Sequence, residues 1–155
     1  MMPTPLEALL GVVNACQVSP GVVTGGQPTH EDLERFRAAG GSSVLDLRDP
    51  MEPRPLDEPA VAAELGLEYV NIPVTSGSLT DQTLERVLDV LRSSGNRTIF
   101  VHCGSGSRVG GALLPYLMLD LGLNEEDAVT EAMRMGLRSA ELLEWGVDYV
   151  NRSKG

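Results

Sequence analysis

The sequence predicts an α/β domain with a small, mostly parallel central sheet flanked by helices, and three observations lead there. Short runs rich in strand-forming residues recur at 43–47, 68–74 and 98–101, with stretches of helical period between them. The last of these, Thr98-Ile99-Phe100-Val101, is apolar and β-branched, as expected of a central strand covered on both faces. The final third of the chain carries helical patterns only, so sheet comes early and helices late. With 155 residues, 42% hydrophobic and 22% charged, the chain is expected to fold as one domain over 1–155.

Each element has a local cause. Thr4-Pro5-Leu6-Glu7 is a capping box with proline at the first helical position, predicting a helix over 5–15. No Lys or Arg precedes its apolar stretch and Glu7 interrupts it, which argues against a secretory leader. Residues 18–23 hold two short apolar pieces around Ser19-Pro20-Gly21, and Gly25-Gly26-Gln27-Pro28 reads as a turn. Thr29 and Asp32 form a second capping box, opening a helix that packs Leu33 and Phe36 and stops at Gly40-Gly41. The strand at 43–47 ends in Arg48-Asp49. A proline-rich loop follows over 50–58, then a short helix at 60–65 and the strand at 68–74.

Thr80-Asp81 caps a helix whose Leu84, Val87, Leu88 and Leu91 fall on one face. After the strand at 98–101, a helix is expected from about Ser107 to Leu121. Pro115 should kink it by freeing the carbonyl of Gly111. Two more helices are expected, capped at Asn124 and Ser139.

A formal charge of -10 argues against nucleic acid and anionic membranes as partners, since both require a positive face. No apolar run reaches membrane-spanning length. Cys16 and Cys103 are too far apart for a zinc pattern or a disulfide framework, which fits a reducing, cytoplasmic setting. No second His, Cys or carboxylate stands beside them at ligand spacing, so neither metal nor cofactor is implied.

The chemistry concentrates at His102-Cys103-Gly104-Ser105-Gly106-Ser107-Arg108. A strand entering a Gly-rich loop that opens a helix is an anion cradle: backbone N–H groups point inward and the helix terminus adds positive charge. A cysteine at its start has its thiolate stabilised. Arg108 can close over the mouth with a planar fork of donors, and Gly104 and Gly106 allow the curl. Cys103 and Arg108 are therefore the candidate catalytic residues, with Gly104, Ser105, Gly106 and Ser107 as the anion-binding loop. A dinucleotide fingerprint fits worse, because the next glycine falls at 110 and no second strand follows.

His102 precedes the nucleophile on the strand, so its ring points to the other face and supports the loop rather than taking the thiol proton. Arg48 at a neighbouring strand end either binds substrate anion or pairs with an acid such as Glu52. Cys16, Trp145, Tyr116 and Tyr149 read as packing residues, and His30 as an exposed residue in a helix's first turn.

These residues resemble the active-site loop of protein-tyrosine and dual-specificity phosphatases. The whole chain is similar to the bacterial branch found in beta-lactamase-hydrolase-like proteins. Gly25-Gly26-Gln27-Pro28-Thr29, Val44-Leu45-Asp46-Leu47-Arg48 with Glu52, Tyr69-Val70-Asn71-Ile72-Pro73-Val74 and the segment 102–110 carry the likeness, over roughly 18–137. It implies a dual-specificity-phosphatase-like fold, with Cys103 at the mouth of the central strand.

The departures bear on function. Cysteine phosphatases place five residues between Cys and Arg; here there are four, the spacing of rhodanese-type sulfurtransferases. Val109 stands where the family has Ser or Thr. Val74-Thr75-Ser76-Gly77-Ser78 carries no carboxylate where the family keeps its general acid, and phosphate ester cleavage needs a proton for the leaving oxygen. Asp49 and Glu52 are the nearby candidates for a displaced acid. Sulfur transfer through a Cys103 persulfide is the leading expectation. Phosphoester hydrolysis through a cysteinyl-phosphate is the alternative, and a non-catalytic anion- or phospho-recognition module the third. The partner in each case is a small anionic substrate or a sulfur or phosphoryl donor.

Overall fold

A computed structural model describes residues 3–154. Five strands form one sheet in the order β1-β2-β5-β3-β4. β1 (Cys16–Ser19) and β2 (Val22–Gly25) make an antiparallel hairpin, whereas β3 (Ser43–Asp46), β4 (Glu68–Asn71) and β5 (Ile99–His102) run parallel to β2. β5 is therefore central, and its last residue, His102, sits level with Gly25 on one side and Asp46 on the other. The site's three contributing segments leave the sheet from these neighbouring ends.

Alternation along β5 divides the core in two. Phe100 faces a cluster with Leu9, Val12, Leu33, Phe36 and Val61, built by α1 (Pro5–Ala8), α2 (His30–Ala38) and α3 (Glu58–Leu65). Ile99, Val101 and Cys103 face the larger cluster under α4 (Asp81–Arg92), α5 (Ser107–Pro115), α6 (Glu125–Met135) and α7 (Ala140–Lys154). Every residue of β5 is buried, matching its apolar run.

Two expected helices differ. The first ends at Ala8 instead of reaching residue 15: Leu9 and Val12 drop into the smaller cluster, and Asn14 takes a left-handed φ of 57°. The helix after Ser107 stays α-helical only to Pro115. A π-helical turn over Tyr116–Asp120 follows, with the Leu121 N–H on the Tyr116 carbonyl at 3.0 Å. The missing N–H of Pro115 breaks the regular ladder there, and the wider turn keeps Leu117 and Met118 buried. Among the described residues no helix is long and apolar enough to cross a membrane.

Candidate active site

Cys103 follows β5 directly and is 1% exposed, at the bottom of the loop that opens α5. The Gly106 N–H points at its Sγ from 3.1 Å, the placement a negative sulfur requires. Gly106 is the residue before α5 and has φ 107°; Gly104 lies outside the left-handed region, so of the two only Gly106 uses glycine's freedom. A Cβ on Gly106 would stand 2.1 Å from the Met135 carbonyl oxygen, so the turn between α6 and α7 walls the loop from outside. Ser105 is exposed, and the Ser107 hydroxyl accepts the Arg138 N–H at 3.0 Å.

Three consecutive loop carbonyls are tied outward. His102 Nδ1 meets the Cys103 carbonyl at 3.2 Å, the Gln27 N–H donates to the Gly104 carbonyl at 3.0 Å, and Asn14 Nδ2 donates to the Ser105 carbonyl at 2.7 Å. The His102 ring is fully buried, stacks on Phe100 and contacts Glu58 through Nε2. Glu58 also accepts from Gln27 at 3.0 Å. Burial pushes the Glu58 carboxyl up, but the hydrogen bonds from His102 and Gln27 outweigh it and hold the group below the usual range. Asp46 lies alongside, accepting from Tyr69 at 2.6 Å, and burial together with that bond pushes the Tyr69 hydroxyl far up.

Asp46, Glu58 and His102 thus offer three ligand atoms within 4.8 Å, a grouping that sequence spacing does not reveal. The carboxylates already have Arg54 3.9 Å from Asp46, Tyr69, Gln27 and the His102 ring as partners, so the grouping reads as a satisfied polar network.

Arg108 reaches back as expected, yet its fork is held by Glu52 at 2.7 and 3.2 Å. The guanidinium hydrogen bonds keep Glu52 below the ordinary carboxylate range, so it is ionised at neutral pH. Burial works against the Arg108 charge, and Glu52 and Cys103 more than restore it. Arg48, read from sequence as either an anion binder or a partner of Glu52, contacts the protein itself. It is buried, donates to the Gln27 side chain and to the Pro53 carbonyl at 2.6 Å, and lies 3.9 Å from Glu52. Nη2 thus holds the 50–58 loop and Nη1 the Gln27 side chain, while the buried Nε has no hydrogen-bond partner among the described residues.

Each candidate acid has a partner within the protein. Glu52 is bound to Arg108, and Asp49 Oδ1 accepts the Met51 N–H at 2.9 Å within its own loop. The turn at 75–78 is closed by Ser78 Oγ accepting the Thr75 N–H at 2.8 Å, and Asp81 beyond it pairs with Arg152. Cys16 is buried in β1, where desolvation raises its thiol. Sequence reasoning missed Asn14, Gln27 and Glu58 as loop supports. Gln27 lies in the Gly-Gly-Gln-Pro turn that carries part of the family likeness, but nothing local distinguishes Asn14 or Glu58.

A buried cysteine at the end of the central parallel strand, with an amide on its sulfur and an arginine closing the loop, sits in a dual-specificity-phosphatase-like fold, and the match to a phosphatase family makes the chain a phosphatase-superfamily cysteine enzyme. The chain belongs to the family described as DSP-PTPase phosphatase fused to NAD+ kinase, whose model matches residues 14–140. It is 31% identical over 103 residues to the beta-lactamase hydrolase-like protein of Xylella fastidiosa, covering 62% of this chain and 22% of that protein. The chain thus spans about a quarter of the length of the curated relatives it matches. A putative phosphatase from Shewanella putrefaciens CN-32 shares the fold with a TM-score of 0.79 at 20% identity, over 95% of this chain and 97% of that one. The core catalytic domain of the PP-IP phosphatase SIW14 from S. cerevisiae, solved with citrate, gives 0.74 at 15% identity over 92% of each chain.

Proposed function

We propose that the protein transfers sulfur through a persulfide on Cys103. The observation that carries this is a site with a nucleophile and an anion clamp whose two candidate acids have partners of their own: Glu52 is ionised on Arg108, and Asp49 Oδ1 accepts an N–H of its own loop. Asp46 and Glu58 lie on the His102 side of the strand, opposite the Cys103 side. Persulfide chemistry needs no acid. The Cys103 thiolate attacks the outer sulfur of a donor such as thiosulfate, the S–S bond breaks, and sulfite leaves with the electron pair. An acceptor thiolate then takes the outer sulfur of Cys103–S–S⁻, forming its own persulfide and returning the Cys103 thiolate. The four residues between Cys103 and Arg108 suit one sulfur atom better than three phosphoryl oxygens. The substrate is a small anion, and two free thiols fit a reducing compartment such as the cytoplasm.

Phosphoester hydrolysis is the second reading, favoured by the two-pronged grip of Arg108 on a carboxylate, which a phosphoryl group would also satisfy. Intact mass after incubation with thiosulfate separates the two. Native protein should gain one sulfur atom that cyanide removes, and Cys103→Ser should gain none. Efficient cleavage of alkyl phosphates, whose poor leaving groups demand an acid, with no persulfide formed, would reverse the order.

A further inference from the structure

We infer that Asn14 and Glu58 are positioning residues for Cys103, acting by holding the loop carbonyls outward so that its amides face the sulfur. In a trans peptide the carbonyl of one residue and the N–H of the next point in opposite directions. Tying back the carbonyls of Cys103, Gly104 and Ser105 therefore turns the N–H groups of Gly104, Ser105 and Gly106 inward. The third of these is the one that reaches Sγ, at 3.1 Å. Its peptide partner, the Ser105 carbonyl, is held by Asn14 across 91 residues of chain.

The first tether depends on Glu58. His102 Nδ1 faces a carbonyl, which only accepts, so Nδ1 must carry hydrogen. Nε2 faces Glu58, and a proton has to lie between them for the contact to be attractive. Glu58 in this way fixes the ring orientation that brings Nδ1 to the Cys103 carbonyl. Gln27 joins the same group: its side chain donates to Glu58 at 3.0 Å while its backbone N–H holds the Gly104 carbonyl. Glu58 touches neither substrate nor sulfur, and Asn14 is exposed at the rim.

This rests on Cys103 being the nucleophile of the proposed function, but not on whether it carries sulfur or a phosphoryl group. The probes are therefore iodoacetamide and inorganic sulfate, applied to the full chain with Cys16→Ser as the common background. Asn14→Gly keeps the left-handed backbone and removes the tether. It should slow alkylation of Cys103 at pH 7 and weaken sulfate binding by about five-fold, the size of one net hydrogen bond, with little change in Tm. Glu58→Ala should do the same or more. Glu58→Gln should recover most of the loss, since its amide can donate to Nε2, leave Nδ1–H on the carbonyl and still accept from Gln27. If Glu58→Ala does not fold, Asn14→Gly decides alone. Native rates and sulfate affinity in Asn14→Gly, or a folded Glu58→Gln as impaired as Glu58→Ala, would overturn the inference. Absence of a persulfide in the native protein would instead count against sulfur transfer and leave this ordering of variants intact.

Discussion

Replacing Gly106 with alanine probes the wall that the α6–α7 turn builds behind the catalytic loop. Two costs are superimposed there. The backbone sits at φ 107°, where an L side chain is strained by about 1–2 kcal/mol. The new Cβ would also meet the Met135 carbonyl oxygen at 2.1 Å, well inside contact distance and against backbone that cannot swing aside. Overpacking of that kind adds about 1–3 kcal/mol. Gly40 separates the two, because its φ is 103° and a Cβ placed there would meet nothing within 4 Å. Gly40→Ala should lower Tm by roughly 2–8 °C and Gly106→Ala by roughly 2–12 °C beyond that, at about 2–4 °C per kcal/mol for a chain of this size. Thermal unfolding followed by circular dichroism reads both, and sulfate titration shows whether Gly106→Ala also spoils the cradle. Equal Tm losses in the two variants would refute the close approach of Met135 to the loop.

Arg108→Lys should behave as a loss, because a single ammonium cannot reproduce the two contacts now made to Glu52; sulfate affinity measured by calorimetry should fall about ten-fold or more while Tm barely moves. Cys103→Ser should abolish fast alkylation, whereas Cys16→Ser should leave it unchanged, since burial raises the Cys16 thiol; mass-resolved labelling distinguishes them. Glu52 has a lowered value in the folded protein, so its contribution to stability is present above the unfolded carboxylate range, near pH 4.3, and is lost as pH falls through the lower folded value. The stability difference between native protein and Glu52→Gln should be on the order of 1 kcal/mol for this half-buried, partly solvent-screened pair. It should stay flat from pH 8 to 5 and shrink only in more acid solution, as denaturant titrations at several pH values would show.

The alternation of strand and helix was readable because burial on both sides leaves β5 no polar residue until His102, and because Thr4, Thr29, Thr80 and Asn124 cap their helices as their types predict. The Cys103–Arg108 loop was readable for a similar reason: nucleophile, amides and guanidinium are contiguous in sequence. What escaped was whatever depends on partners far along the chain. Arg48 carried two readings because a strand-end arginine looks the same whether it meets a ligand or the Pro53 carbonyl. Glu58 sat in a proline-rich stretch, and only folding brings it under His102. Asn14 fell inside an apparent helix whose early end is decided by Leu9 and Val12 leaving it for the core.

The supports of the loop also set an order of events during synthesis. Asn14, Gln27, Glu52 and Glu58 all precede Cys103, whereas Met135 and Arg138, which close the outer wall, follow it by about thirty residues. A chain growing from its N-terminus at about 5–20 residues per second makes the inner supports first and the residues of the outer wall a few seconds after Cys103. During that interval the loop lacks Met135 against Gly106 and Arg138 on Ser107. A nascent chain stalled before residue 135 would therefore carry Cys103 and its inner supports without the outer wall of the loop.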